Sequence, residues 1–494
     1  MGSERAAGTS VSEEKEEKSL GSSTIRGAFW AYGSYVGGRV LVLISIALLA
    51  RLLSPRDFGL VALALTFTTL LATVGDLGLG KALVVSKEDD IADRANTVFV
   101  YGLAIGLAGC LITIVCAPFV ADFFREPAVL PLLIALSLNF PLRALGNTQY
   151  ALAQKSMDFR TRTVAELANV VVRGLLGVIL AVIGFGAWSL VLGYLAGTFV
   201  LSAMLWVMVP WKPRLRRANR AYARELFTFG GTLTGVDVLH GVSVSADSLI
   251  IGRVLGPVAL GLYSLAQRLP SLLVVNLSVV AGTVLFPAYT KVEANRLGSV
   301  FLTSLRFTMI IAAPLAVGLA VMADPIILAL FGDQWGGAVV PMQIMAVYGV
   351  ILALEIPGGT IFKVTGRASI LLKLAIPRTI MLYAVIAVVA YRGINAVAVA
   401  LTLVTVLFAA IALVMASRVI GVKLITMVNT AWAPLVASAG AGVAMWGVMQ
   451  GMSSPWPTII VGAIVGGLVY LALLWFVARD ALDYLLRKVV PSRA

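Results

Sequence analysis

Seven basic residues stand inside otherwise apolar stretches of this chain: Arg39, Lys81, Arg143, Arg173, Arg268, Arg306 and Arg378. Five acidic residues do the same: Asp76, Glu166, Asp237, Asp247 and Glu355. A charge in apolar surroundings is costly, so such residues pair, bind an ion or line a polar cavity. A guanidinium donates two parallel hydrogen bonds to a phosphate. Arg39, Arg268 and Arg378 lie near the middle of their stretches and are candidates for that contact. An ion pair of Arg39 or Arg268 with Asp76 or Asp237 is the structural alternative. Lys81, Arg143, Arg173 and Arg306 are placed nearer stretch ends, where snorkelling accounts for them; lining a cavity mouth is their second reading. Asp237 and the chain's one histidine, His240, share a helix face. They could pass a proton, since imidazole titrates near neutrality, or form a hydrogen-bonded structural pair. Glu355 precedes Pro357-Gly358-Gly359, where a helix is expected to kink or break. With Asp76 and Asp247 it is a candidate for ion coupling or for pairing between helix bundles.

Other chemistries find no support. Gly75-x2-Gly78-x-Gly80 and Gly230-Gly231 have no preceding strand and no following Lys-Ser/Thr, so they are not nucleotide loops. Small residues in apolar helices serve close packing instead. Cys110 and Cys116 share one apolar run and suit neither a disulfide framework nor a zinc site. With one histidine, a His-rich metal site is excluded and a Ser-His-Asp triad would need His240. No metal, cofactor or nucleic acid is expected, and the chain does not read as an enzyme.

What must position these residues follows from composition. Of 494 residues, 60% are hydrophobic and 13% charged, about half the charged share of soluble domains. Mean hydropathy is +0.97. So few charges cannot cover several globular surfaces, and a collagen repeat or disordered composition is absent. The fold class is an all-α polytopic membrane protein. About 20 apolar residues cross the bilayer core, and the sequence divides into about fourteen such spans: 27–50, 58–85, 95–118, 128–151, 163–184, 187–209, 226–251, 257–286, 301–323, 336–362, 368–391, 394–417, 430–450 and 456–478. Two divisions rest on turns of three residues, 184–186 and 391–393. With fourteen spans, loops on the side of the termini hold 26 of the 38 Lys and Arg, while the other side holds Arg51, Arg56, Arg125, Arg253 and Arg392. Basic loops stay cytoplasmic, which places both termini there. Trp188, Trp211, Trp335, Trp432 and Trp456 fall near span ends, as interfacial anchors do.

The chain repeats itself. Residues 50–64 and 252–266 align without a gap, pairing Arg51 with Arg253, Pro55 with Pro257, Gly59 with Gly261 and Ala64 with Ala266. Further on, Pro118 and Phe124 match Pro325 and Phe331. Such a parallel repeat predicts two pseudo-symmetric six-helix bundles that rock around a midplane site. The expected layout is a disordered cytoplasmic tail (1–24), an N-terminal bundle (25–210), a basic cytoplasmic linker (211–224), a C-terminal bundle (225–418) and two added transmembrane helices with a cytoplasmic tail (419–494).

Arg51-Leu-Leu-Ser-Pro-Arg-Asp-Phe-Gly-Leu60, followed by Gly75-Asp-Leu-Gly-Leu-Gly80, resembles the opening of Wzx-type polysaccharide flippases. These belong to the polysaccharide transporter family of the multidrug/oligosaccharidyl-lipid/polysaccharide (MOP) superfamily, and the variant is most similar to the exopolysaccharide-export type. The resemblance covers nearly the whole chain. It implies a bacterial inner-membrane transporter that moves an undecaprenyl-diphosphate-linked oligosaccharide from the cytoplasmic to the periplasmic leaflet, for exopolysaccharide or lipopolysaccharide synthesis. For that cargo, Arg39, Arg268 and Arg378 become candidate diphosphate ligands, and H+ or Na+ becomes a candidate coupling ion. Polysaccharide polymerase machinery is a partner by pathway logic. Lipid II flippases resemble this chain less, since they look as if they carry Arg-Asp where it has Ser45-Ile46. Two alternatives remain at this stage. A MATE-like drug/cation antiporter would favour an acidic cavity, whereas basic residues outnumber acidic ones here. A membrane glycosyltransferase or polymerase of the same pathway would need larger polar loops.

Overall fold

The structure, a computed structural model, describes residues 37–75, 77–86, 90–214, 218–276, 289, 292–293, 296–367 and 369–477, without the side chains of 229–237 and 240. Among these residues every regular element is helical. The chain runs through α1 (37–52), α2 (Pro55–Gly75), α3 (Leu79–Val85), α4 (Ile91–Phe124), α5 (Val129–Ser137), α6 (Asn139–Lys155), α7 (Phe159–Ile183) and α8 (Ala187–Met208). It continues through α9 (Arg220–Val254), α10 (Gly256–Pro270), α11 (Leu297–Val321), α12 (Ala323–Leu330), α13 (Val339–Val364), α14 (Ser369–Val389), α15 (Ile394–Ile420), α16 (Leu424–Gly451) and α17 (Pro455–Val477). Among the described residues, 12 helical segments are long and apolar enough to cross a membrane. They coincide with twelve of the fourteen expected spans; the other two expectations, 27–50 and 226–251, fall on α1 and α9. The protein is therefore a multi-pass membrane protein. Its outer faces agree: Phe119 (72% exposed), Val207 (83%) and Phe476 (83%) would be intolerable in water in such numbers.

Local chemistry explains the helix ends. Ser54-Pro-Arg-Asp57 forms a capping box at α2: Asp57 Oδ2 accepts from Ser54 N (3.0 Å) and Oγ (2.6 Å), and Ser54 Oγ accepts from Asp57 N (3.3 Å). Pro55 fills the first helical position, where no amide hydrogen is needed. The two three-residue turns do break their helices. Gly184 (φ 95°) and Gly186 (φ 54°) part α7 from α8, and Gly393 (φ 99°) parts α14 from α15; side chains rarely adopt such angles. Asp158 caps α7, accepting from Thr161 N (3.0 Å) and Thr161 Oγ1 (2.6 Å). By contrast, α13 runs unbroken through Pro357-Gly358-Gly359.

The described residues group into two compact units. One holds those of Met1–Leu49, Leu71–Cys116 and Leu132–Gly235; the other holds Ala50–Leu70, Ala117–Pro131 and those from Val236 on. In the first, α7 and α8 meet along glycines. A Cβ on Gly193 would lie 2.7 Å from the Arg173 carbonyl oxygen, and one on Gly197 would lie 2.9 Å from that of Asn169. Two backbone amides before α9 are held by α4: Arg214 N donates to Asn96 Oδ1 (2.7 Å) and Asn219 N donates to Thr97 Oγ1 (3.0 Å).

In the second unit the repeated motifs pack on each other. A Cβ on Gly59 would meet the Pro257 carbonyl oxygen at 1.7 Å, and one on Gly261 would meet that of Pro55 at 1.9 Å. Each glycine thus accommodates the partner motif's proline. Arg51 donates to the last carbonyls of α12, Leu330 O (3.2 Å) and Ala329 O, while Arg253 lies 5.7 Å over the Phe123 ring at the end of α4. Phe123 and Leu330 are equivalent under the same repeat, so the arginines make reciprocal contacts. Trp335 is fully buried. It donates Nε1 to Ala50 O (2.8 Å) and stands edge-on to Phe58 at 5.2 Å. This corrects its expected role as an interfacial anchor: its indole closes the repeat contact.

Candidate functional site

In the first unit, three donors on α8 staple α6. Thr198 Oγ1 donates to Asn139 Oδ1 (3.0 Å), Ser202 Oγ to Leu142 O (2.7 Å) and Trp206 Nε1 to Leu145 O (2.8 Å). They lie four residues apart and so form one row on α8. With α6 held this way, its exposed residues are Arg143, Asn147 and Gln154. A charge and two carboxamides suit lipid poorly; the exposed apolar residues of the same span, Ile134 (41%) and Leu138 (52%), precede α6.

The adjoining α7 has two exposed faces. Val164, Val171, Leu175 and Val182 form an apolar one; Glu166 and Arg173 are exposed on the opposite side, at helical spacing with Arg162 and Asn169. The two polar rows meet. Tyr150 Oη accepts from Arg162 Nη2 (2.7 Å) and donates to Glu166 Oε1 (2.7 Å), and the Arg162 guanidinium lies 4.6 Å over the tyrosine ring. Arg173 lies 4.7 Å over the ring of Tyr194, which the close α7/α8 approach brings beneath it. At 1.5 Å per residue, Arg143 stands about 18 Å and Arg173 about 21 Å from the α6/α7 turn. Measured from this turn, the two arginines stand at similar heights along their helices. Among the described residues Arg143 has no carboxylate partner.

Of the other sequence-predicted residues in this unit, Arg39 is exposed on α1, opposite Val40, Leu41, Ile44 and Leu48. Lys81 is exposed on α3, beside Gly80, whose Cβ would lie 4.0 Å from Asn147 Nδ2. Ser45 is pressed onto Gly174, where a Cβ would come within 2.2 Å of its hydroxyl; an arginine at 45 would need α1 and α7 to part. Asp76 lies outside the described residues.

The second unit holds two polar groups. Arg378 Nη1 donates to Glu355 Oε2 (2.8 Å) and Oε1 (3.1 Å), and Nη2 donates to Thr405 Oγ1 (3.3 Å). Asp247 is buried; its Oδ2 accepts from Tyr263 Oη (2.9 Å) and Gln267 Nε2 (2.8 Å), and its Oδ1 from Ser248 N (2.6 Å). These donors are all neutral. Arg268, next to Gln267, is exposed. Arg306 is half-buried, with its Nε unpartnered among the described residues. The Asp237 and His240 side chains on α9 lie outside the described residues.

Sequence reasoning named the charges but missed Asn147, Tyr150, Gln154, Arg162, Asn169 and Tyr194. Their signal is the spacing: 143, 147, 150, 154 and 162, 166, 169, 173 are single-face rows. A screen for charge alone passes over the neutral amides that complete them.

The sequence profile of the polysaccharide biosynthesis protein family matches residues 48–341, a stretch that contains both repeated motifs. The chain belongs to this family. Among its relatives, the succinoglycan biosynthesis transport protein ExoT of Rhizobium meliloti is 33% identical over 63% of each chain. The lipopolysaccharide biosynthesis protein WzxC of Escherichia coli is 26% identical over 74% of each. The fold is shared with solved membrane transporters. It matches the lipid II flippase MurJ in an inward closed conformation with a TM-score of 0.76 at 14% identity, over 92% of this chain and 100% of that one. It matches an inward-facing multidrug MATE transporter with a TM-score of 0.63 at 17% identity, over 78% and 94%. This family member spans 63% of the Rhizobium relative's own length.

Proposed function

We propose that this protein flips a polyprenyl-diphosphate-linked oligosaccharide, undecaprenyl in bacteria, across the inner membrane for surface-polysaccharide assembly. The observation that carries this reading is Arg143 and Arg173 at similar heights from the α6/α7 turn, both exposed on membrane helices among polar residues. Two guanidiniums within spans fit a diphosphate, and membership in a polysaccharide family supplies the glycan. Arg39, exposed in the same unit, extends the phosphate path, and Arg268, exposed in the other unit, is a further phosphate candidate. Arg378 is engaged by Glu355, and this pair with buried Asp247 forms the coupling group for H+ or Na+. Asp237, His240 and Asp76 remain coupling candidates from the sequence.

The basic loops place both termini in the cytoplasm. The Pro55/Gly59 and Pro257/Gly261 contact then lies at the periplasmic end, closed in this state, as alternating access requires of a cargo loaded from the cytoplasm. Two six-helix repeats with two added helices remain the layout that this mechanism uses, and a polysaccharide polymerase is the partner that would take the product. A MATE-like antiporter for cationic drugs is disfavoured by Arg143, which among the described residues has no carboxylate partner, and by Glu166 being engaged by Tyr150.

The test is a deletion strain in which lipid-linked oligosaccharides are extracted and their leaflet is read with an impermeant glycan probe. Cytoplasmic accumulation with loss of surface polysaccharide, restored by wild type and not by Arg143→Ala/Arg173→Ala, is expected. A normal periplasmic pool in the deletion strain would overturn the flippase.

A further inference from the structure

Three carboxamides stand beside the arginines: Asn147 and Gln154 exposed on α6, and Asn169 half-exposed on α7. Among the described residues none of the three has a hydrogen-bond partner. Within a span an unpaired amide is costly, so Asn147 and Asn169 call for water or a polar ligand; Gln154, one residue from the end of α6, continues their row to the α6/α7 turn. A carboxamide offers both donors and an acceptor. A sugar hydroxyl, also both, uses all of it; a phosphate uses only the donors and a cation only the acceptor. The row from Arg143 to Gln154 extends about 17 Å, long enough for an oligosaccharide rather than a single anion. Stacking is not the mode here. Arg173 covers a face of Tyr194, and Tyr150 has Arg162 on its ring with its hydroxyl already donating and accepting.

We infer that Asn147, Gln154 and Asn169 bind the glycan hydroxyls of the cargo, beside the arginines that hold its phosphates. This deepens the flippase reading and rests on it. The carboxamide row sets which glycan is accepted, while Arg143 and Arg173 recognise the part common to all such lipids.

Binding to the full chain in lipid nanodiscs separates the two claims. The probes are undecaprenyl diphosphate and the undecaprenyl-diphosphate-linked oligosaccharide extracted from the producing strain. Wild type binds the glycan-bearing lipid more tightly than the bare diphosphate. Asn147→Ala/Gln154→Ala, both changes at exposed positions, lowers affinity for the glycan-bearing lipid about tenfold, the effect of two modest hydrogen bonds, and leaves the bare lipid unchanged. An undiminished preference in the double variant overturns the glycan site and leaves the flippase standing, as does equal binding of both probes by wild type. Failure of wild type to bind either probe overturns the flippase reading itself. Gln154→Ala alone, expected to cost about threefold, decides the matter if the double variant is not monodisperse.

Discussion

At the scale of single residues, the informative ones are those whose partners the sequence does not show. Asp158 is one. Thr161 donates to it twice, from its hydroxyl and its backbone, which holds the Asp158 carboxyl below its ordinary value. The ionised form is the one bonded in the folded protein, so its stabilisation is present above the ordinary carboxylate range and is lost as pH falls through the lowered value. Asp158→Ala should therefore cost about 1 kcal/mol at pH 7 and less at pH 3, read as a melting-temperature difference in detergent at the two values. Arg378 and Glu355 provide a second case. Each alone is a partly buried charge; together they neutralise. Arg378→Met should destabilise by about 3 kcal/mol by leaving Glu355 uncompensated, and Arg378→Met/Glu355→Gln should recover most of it. A double variant no better than the single would mean the pair contributes nothing as a pair.

At the scale of elements, much of the fold was legible because membrane helices announce themselves by length and apolarity. Turns as short as 184–186 and 391–393 could be placed because the helices they separate would otherwise exceed the bilayer. The repeat was legible too, through Arg51/Arg253, Pro55/Pro257 and Gly59/Gly261. Less legible was why those residues recur. They recur because they touch: each glycine admits the other motif's proline carbonyl, and each arginine reaches the end of the helix in the opposite repeat. Periodicity reports a residue's own helix and is silent on its neighbour, which is also why Trp335 was misplaced at an interface. Gly59→Val and Gly261→Val should each force the contact apart, since a Cβ at 1.7 or 1.9 Å from a backbone oxygen has no flexible side chain to displace. Gln334 Nε2 donates to Ala50 O (2.7 Å) and Leu53 O (3.1 Å), beside the contact; in a background with Cys110 and Cys116 replaced by Ala, Gln334→Cys should react with maleimide several-fold faster when Gly59→Val is added. Unchanged labelling would mean that the motifs separate without freeing this end.

At the scale of the whole molecule, the charge distribution does two jobs that need opposite locations. Basic residues in loops are the signal proposed above to orient the chain against the cytoplasmic face, while Arg143 and Arg173, exposed within spans, are the residues proposed to meet the cargo. The sequence separates the two sets only once spans are drawn. The structure separates them again by which helix face is exposed and whether lipid-like residues share it. Orientation is then a prediction independent of transport. A single cysteine at Ser10 in the N-terminal tail, or at Ser492 in the C-terminal one, should react with an impermeant maleimide in inverted membrane vesicles and be protected in intact spheroplasts, whereas Arg392→Cys in the α14/α15 turn should show the reverse. If the tails label in spheroplasts, the count of 26 basic residues on their side has lost to some stronger topogenic signal. The closed Gly59/Gly261 contact would then face the cytoplasm, and the cargo path would have to run inward. If the two tails label from opposite sides, the number of spans is odd, and the equivalence of the two repeats as parallel bundles fails with it.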